Sequence, residues 1–313
     1  MSKDFWQKIK KPIIGLAPMD GYTDSAYRRV CKELNPEIVT YTEFTAAIGL
    51  KYGAKKLKEK LYFERKEKPI IAQIFGKDTD SFIKAAQLCE EMGFDGIDLN
   101  MGCPSKKVVK SEQGVALRKK PDLAFKLIEA VAKNVGLPVS VKTRLGLNDA
   151  HDLLEFALGA EQAGADMICV HARTFKEPYK VPAHWEPVYE LKKHLKIPVL
   201  GNGGIVSLED GMKKLGDLDG FLIGQASIGN PWVFLPEKQQ PQTFEEKIPM
   251  IKKHAQMLLE LRGEKYGSHH IRKLLLAYVK NIPNAKSYRL RLVQVANLEE
   301  IYEVLDEIAE VIL

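Results

Sequence analysis

In the stretch GFDGIDLNMGCPSKKVVKS, residues 93–111, one thiol stands between a glycine and a proline. An apolar run opens there into positive charge. Cys103 follows Asn100 by three positions and precedes Lys106, Lys107 and Lys110. A free cysteine is most often a small buried hydrophobe, and Cys31, Cys89 and Cys169, inside helix or strand patterns, are read that way. Cys103 lies past a strand end beside a polar amide, where filling space is a poor reason for a thiol. Other groups with chemical capacity recur in similar places: Met19-Asp20, Glu43, Gln73, Lys142 with Arg144, and His171 with Arg173. Two glycine clusters, Gly201-Asn202-Gly203-Gly204 and Gly224-Gln225, would let backbone N–H groups approach an anion closely. Each signal has a plain counterpart: a tight turn, a snorkelling lysine, a structural histidine. Their shared position at strand ends decides against it.

Eight short apolar, β-branched runs carry these groups: residues 13–19, 37–44, 69–76, 96–101, 138–146, 167–174, 198–205 and 220–227. Within the run 96–101 the residues alternate, with Ile97 and Leu99 on one face and Asp98 and Asn100 on the other. Helical signals fall between the runs. KDTDSFIKAAQLCEEMG has an Asp/Thr cap, apolar Phe82, Ala85, Ala86 and Cys89 at helical spacing, and a stop at Gly93. PDLAFKLIEAVAKNVG opens on Pro121, permitted in a first turn, and stops at Gly136. Strand–helix alternation eight times over predicts an α/β (β/α)8 TIM barrel spanning 1–240. A smaller all-α C-terminal domain, 241–313, follows the linker LPEKQQPQ. A doubly wound open sheet would require a GxGxxG turn after an early strand, and the chain has none. In a barrel the strand C-termini form the active-site face, and the loops after strands seven and eight commonly hold phosphate.

The chain has 313 residues, is 45% hydrophobic and carries a net charge of +6, within the range of soluble globular proteins. Four cysteines without a CxxC pair or metal-ligand spacing argue for a reducing cytoplasm and no metal. The opening MSKDFWQKIKKP lacks an apolar signal core, and no apolar run reaches membrane-span length, so no membrane association is expected. Positive charge is concentrated. Residues 51–68 hold eight Lys/Arg against three Glu, 105–120 six against one, and 247–291 eleven against two. One such run is usually a solvated face; three lean toward a polyanionic partner.

Taken in order, LAPMDGYTD, AQIFG, DLNMGCPSKKVVKSEQGVAL, VKTRLG, HARTF, PVLGNGGI and IGQASIGNPW resemble the tRNA-dihydrouridine synthases over residues 13 to about 235. The segment IRKLLLAYVKNIPNAKSYRLRLVQV resembles their C-terminal domain. The resemblance implies an FMN-dependent enzyme, reduced by NADPH, that reduces the C5=C6 bond of a uridine in tRNA. It implies that Pro18, Met19 and Asp20 line the flavin and that Gln73 bonds its polar edge. Lys142 would stand near N1, and His171 among the flavin and phosphate contacts. Asn202, Gly203, Gly204, Gly224 and Gln225 would hold the phosphate. Cys103 becomes the general acid: a thiol with a pKa near ~8.5 is mostly protonated at neutral pH. Asn100 would bond the substrate base, and Lys106, Lys107 and Arg173 would meet RNA. From the tail, Arg272, Lys273, Lys280, Lys286, Arg289 and Arg291 are expected to grip the backbone of a tRNA whose base is drawn from its stack. A monomer is expected.

The chain departs from the family pattern in three places. Gly224-Gln225 stands where Gly-Arg is common, removing a cation from the phosphate site. Asn202-Gly203-Gly204 replaces Asn-Gly-Asp, and Ser111 to Gly114 is bulkier than the usual small-residue stretch. Two other readings compete. A flavin barrel of the dihydroorotate or dihydropyrimidine dehydrogenase kind shares the chemistry but has no use for a basic helical tail. A non-catalytic RNA-binding protein on the same scaffold has no use for Cys103, Lys142 and His171.

Overall fold

A computed structural model describes residues 3–312. Nine strands form, all paired in parallel: β1 Ile13–Leu16, β2 Thr40–Tyr41, β3 Thr45–Ala46, β4 Ile70–Phe75, β5 Gly96–Met101, β6 Val139–Arg144, β7 Met167–His171, β8 Val199–Asn202 and β9 Gly220–Ile223. Their order is β1-β9-β8-β7-β6-β5-β4-β2, with β3 also on β4. A bridge between Gly15 and Val39 joins the ends, with Leu16 N–H to Val39 O and Val39 N–H to Ile14 O both at 2.9 Å. The result is a nearly closed eight-position barrel with helices between its strands, followed by C-terminal helices, as expected.

One strand differs from expectation. The run 37–44 does not make a continuous strand; only Thr40–Tyr41 and Thr45–Ala46 pair. The Thr42 hydroxyl accepts the Gln73 N–H at 3.0 Å, and Thr45 Oγ1 donates to Glu43 O at 3.2 Å. Thr42 still donates its N–H to Ile71 O at 3.0 Å, but its hydroxyl rather than its carbonyl takes the Gln73 N–H, and residues 43–44 leave the ladder. Elsewhere the strands end earlier than the apolar runs, because residues such as 17–19 and 203–205 splay into the mouth.

The inward faces follow from the period of two. Ile13, Val39, Tyr41, Ile71, Met167, Cys169, Leu200 and Leu222 form a core with Trp6 from the N-terminal turn Phe5–Lys8. Ile97 and Leu99 point outward into the larger core beneath the helices, which leaves Asp98 and Asn100 facing in. Asp78 caps the helix Thr79–Glu91 by accepting the Ser81 N–H at 2.8 Å, and Pro121 opens Pro121–Asn134.

The tail helices Ile248–Arg262, Glu264–Tyr278, Ala285–Leu292 and Leu298–Ile312 build another core, and barrel residues Ala26 and Trp232 belong to it. Tyr27 stacks on His254 at 5.3 Å, and the His254 ring nitrogen Nδ1 lies 3.0 Å from the Tyr278 hydroxyl. Gly229 abuts Ala277 so closely that a Cβ there would fall 2.5 Å from its backbone. Apolar contact joins the tail to the helix Ser25–Leu34, and close backbone approach joins it to the segment after β9. Among the described residues no helix is long and apolar enough to cross a membrane.

Candidate active site

The strand C-termini open on a cavity of about 700 Å³. Parallel register brings its polar groups together layer by layer. Asp98 lies opposite Ser140, Asn100 opposite Lys142, and His171 opposite Asn202. The upper layer of Asn100, Lys142, His171 and Asn202 lines the cavity, as do Pro18, Met19, Asp20, Cys103, Arg173, Gly203, Gly204, Gly224 and Gln225. Residues far apart in the chain meet here because every one ends a strand or begins the loop after it.

Below that layer runs a hydrogen-bonded relay. Ser140 Oγ donates to Asp98 Oδ1 at 2.6 Å, and Gln73 Nε2 donates to Asp98 Oδ2 at 2.7 Å. Asn100 Nδ2 donates to Gln73 Oε1 at 2.9 Å. Asn100 Oδ1 then accepts the N–H of Cys103 at 2.9 Å and of Gly102 at 3.2 Å. An ionised carboxylate can only accept. Asp98 thus obliges Gln73 to turn its NH2 downward and its oxygen upward, and Asn100 follows suit. The relay has one polarity, and its end anchors the Cys103 loop. Burial pushes the Asp98 carboxyl up to about 6, opposed by Ser140, Gln73 and Lys142, so at pH 7 it remains mostly ionised.

Cys103 is half-buried, and desolvation raises its pKa, partly offset by the Ser105 backbone N–H. The thiol therefore holds its proton at neutral pH. Arg144 fixes the loop from the other side, donating from Nε to Gly102 O and from Nη1 to Thr174 O, each at 3.0 Å. By contrast Cys89 and Cys169 are buried with thiols pushed up to about 12, and Cys31 is buried and raised further. Those three are packing groups.

Across the cavity Lys142 Nζ donates to Asn202 Oδ1 at 2.9 Å, and Asn202 Nδ2 to Leu222 O at 2.8 Å. Burial lowers the Lys142 pKa, though Cys169 and Asp98 oppose this. His171 is driven well below its usual value by burial and by Lys142, Arg144 and Arg173. It is neutral, and Arg173 Nη1 lies 3.1 Å from its Nε2. A guanidinium only donates, so Nε2 accepts and the proton sits on Nδ1.

The glycine clusters make a seat for an anion. Gly203 has φ +114° and Gly204 φ +68°, a region that favours glycine. A Cβ on Gly203 would lie 2.8 Å from the His171 ring. Among the described residues the N–H groups of Gly203, Gly204 and Gly224 have no protein acceptor. The Arg173 guanidinium comes within 3.6 Å of where a Gly204 Cβ would stand. Free N–H donors beside a cation suit a phosphate monoester, and Arg173 supplies a positive charge that Gln225 does not.

Several expected roles change with this geometry. Gln73 is fully buried with both ends of its amide engaged by Asp98 and Asn100, below the cavity wall rather than on it. Asn100 lines the cavity but spends its oxygen on the Cys103 loop. Arg173, expected to meet RNA, is 6% exposed and bonds Val181 O and His171, with its guanidinium beside Gly204. Arg272 is occupied with Val295 O and Gln294 O inside the tail. Arg291 is paired with Glu307. Lys106, Lys107, Lys280, Lys286 and Arg289 are exposed without ion-pair partners among the described residues. Lys273 reaches the mouth, its Nζ 4.5 Å from the Tyr22 ring centroid. Sequence reasoning did not single out Asp98, nor Tyr179, which covers Arg144 and His171 from an irregular loop at 5.7 and 5.8 Å. Strand alternation marked Asp98 as inward-facing; no pattern marks Tyr179.

Comparison with known proteins adds to this geometry. The family model described as dihydrouridine synthase (Dus) matches residues 15–312. The "Probable tRNA-dihydrouridine synthase 1" of Synechocystis sp. is 33% identical over 302 residues, 93% of this chain and 84% of that protein. The "Probable tRNA-dihydrouridine synthase 2" of Bacillus subtilis is 31% identical over 318 residues, 98% of this chain and 97% of that one. Among solved structures, the old yellow enzyme homologue of Zymomonas mobilis shares the fold, with a TM-score of 0.54 at 14% identity over 75% of this chain and 90% of its own. A barrel whose strand ends gather a protonated thiol, a buried lysine and an anion seat, matched by the family model along nearly its whole length, belongs to the dihydrouridine synthase family of oxidoreductases.

Proposed function

We propose that this protein reduces the C5=C6 bond of uridines in tRNA to dihydrouridine, with a bound FMN that NADPH reduces. The observation that carries the reading is the meeting of Cys103, Lys142 and the glycine seat on one cavity of about 700 Å³, a volume suited to a cofactor and a base together. FMN, when bound, supplies the hydride that side chains cannot. Gly203, Gly204, Gly224 and Arg173 would hold its phosphate, while Pro18, Met19 and Asp20 would wall its ring. Lys142 would offer a cation to the negative charge that reduction builds, and its bond to Asn202 fixes the ammonium. Cys103 donates the proton to C5, and burial keeps that proton on the thiol until the base arrives. The neutral His171 donates from Nδ1 without adding a third positive charge to the seat.

The chain covers 84% or more of these relatives' lengths, and their names specify tRNA. A free pyrimidine would need neither the basic tail nor the lysines after Cys103. The test is incubation of the flavin-loaded protein with NADPH and unmodified tRNA, followed by nucleoside mass spectrometry. Dihydrouridine at defined positions, with FMN as the released flavin, is the expected result. Turnover of free uracil or orotate with none on tRNA would overturn the assignment.

A further inference from the structure

We propose that the short helix Lys55–Lys60 and the exposed Tyr52 beside it form a second RNA-gripping surface, on the barrel rim and separate from the helical tail. This rests on the reading of tRNA as substrate. The lysine run of residues 51–68 is the one basic stretch that the site above does not use. Its position follows from two contacts. Lys60 Nζ bonds Asp20 Oδ1 at 2.6 Å, and Asp20 lines the cavity; the helix therefore sits at the mouth. Leu57 packs under Gly49, its Cδ1 only 2.2 Å from where a Cβ on Gly49 would stand. That anchor turns Lys55, Lys56 and Lys58 outward, where all three are exposed.

Among the described residues none of these three lysines has a carboxylate partner, although Glu59 is their immediate neighbour. A face meant only for solubility is normally mixed in sign. The preceding short helix, Ala47–Lys51, exposes large apolar groups one turn apart at its surface and its end: Ile48 is 50% and Tyr52 75% exposed. Lys51 Nζ lies 5.2 Å from the Tyr52 ring centroid. Unpaired lysines on one short helix and a largely exposed aromatic ring just before it fit a single-stranded segment, phosphates on the lysines and a base on the ring.

The surface continues toward the thiol. Lys51 pairs with Asp80 at 2.8 Å and lies 3.7 Å from Asp78, fastening the helix Ala47–Lys51 to the start of the helix Thr79–Glu91, where the loop after β4 ends. In that loop Lys77 pairs with Glu112 at 3.2 Å, fastening it to the loop after Cys103. Lys106, Lys107 and Lys110 stand exposed there. On the other flank Lys273 of the tail touches Tyr22, beside Asp20. The cations thus trace a rim from the tail, past Asp20 and Lys60, to the Cys103 loop, with the cavity on its inner side. A strand following that rim would present one extruded base to the mouth.

The test uses the full-length flavin-loaded protein carrying Lys55→Gln, Lys56→Gln and Lys58→Gln together, with Lys126→Gln on the outer barrel face as control. Affinity for unmodified tRNA is measured across a salt series, with NADPH oxidation in the absence of RNA run alongside. Each phosphate contact contributes ~0.7–0.9 to the slope of log affinity against log salt, so losing three should make it shallower by about 2 to 3. NADPH oxidation and the control should match wild type. Tyr52→Ala should weaken binding about fivefold or more with the slope unchanged. An unchanged slope in the triple variant overturns the proposal while leaving the tRNA reading intact. A wild type that binds no tRNA at any salt overturns that reading first. A triple variant that is normal on purified tRNA but deficient in cells would assign the face to a protein partner, and would also overturn it.

Discussion

Replacing Gln73 with methionine tests whether the buried relay, rather than packing alone, holds the Cys103 thiol in place. Methionine matches the length and removes both hydrogen-bonding ends. Asp98 loses the donor at 2.7 Å and Asn100 loses the acceptor at 2.9 Å. A net hydrogen bond to a charged group is worth about 1.5–3 kcal/mol and a neutral one about 0.5–1.5 kcal/mol. Asp98 has an escape, since with its pKa already about 6, taking up a proton at pH 7 costs only about 1.4 kcal/mol. The expected destabilisation is therefore about 2–4 kcal/mol, read by denaturant unfolding. The functional loss should be larger. Without Gln73 the Asn100 NH2 loses its acceptor, and only the Gly102 and Cys103 N–H groups on its oxygen still hold the amide, which loosens the anchor of the Cys103 loop. A displacement of about 1 Å at a reacting group can cost ~10²-fold. Single-turnover dihydrouridine formation should fall ~10²-fold, with flavin content and NADPH oxidation near normal. Gln73→Glu supplies the contrast. Two carboxyls that close share one proton, and the introduced side chain, once protonated, can donate to Asp98 while accepting from Asn100. That variant should recover activity as the pH is lowered from about 8 to about 6. If Gln73→Met keeps its single-turnover rate, the relay is only packing. If it loses flavin instead, Gln73 is a cofactor ligand and the relay argument fails.

Three other outcomes follow from the geometry. Cys103→Ala should lower dihydrouridine formation by ~10²–10⁴-fold while NADPH oxidation continues; a near-normal rate on tRNA would remove the thiol from the mechanism. Gly203→Ala drives a methyl to 2.8 Å from the His171 ring at a φ of +114°, so the purified protein should lose most of its flavin absorbance while keeping its helical circular dichroism. The buried His254, held down to about 4 chiefly by desolvation, should make the fold acid-labile. The unfolded chain binds this proton near ~6.5 and the folded chain near about 4, so stability falls as pH drops through that window, by about 3 kcal/mol in all. Asp98 acts with the opposite sign, since its folded pKa is raised, and partly masks the loss. Urea unfolding from about pH 7 to about pH 4.5 should show a flatter dependence for His254→Gln than for wild type.

The eight-fold alternation, the strand-end location of the polar groups and the singular position of Cys103 were all legible in the sequence. Each depends on local order: period-two burial, helix caps and stops, and a loop beginning where a strand ends. The inward face of Asp98 and Asn100 could be read from alternation alone. What each inward group bonds could not, because that depends on the parallel register between strands 25 to 60 residues apart. Register decided that Gln73 bonds Asp98 and Asn100, and that Arg173 is buried against His171 and Val181. Charge counting found the basic tail but could not separate free cations from spent ones. Arg272 closes on backbone carbonyls and Arg291 on Glu307, while Lys280, Lys286 and Arg289 stay bare. The break in the second strand was equally invisible, because Thr42 favours a strand by propensity and its hydroxyl takes the Gln73 N–H in place of its carbonyl only once β4 lies beside it. Local chemistry is written along the chain, but the partner of a buried polar group is chosen by whatever the closed barrel brings within about 3 Å of it.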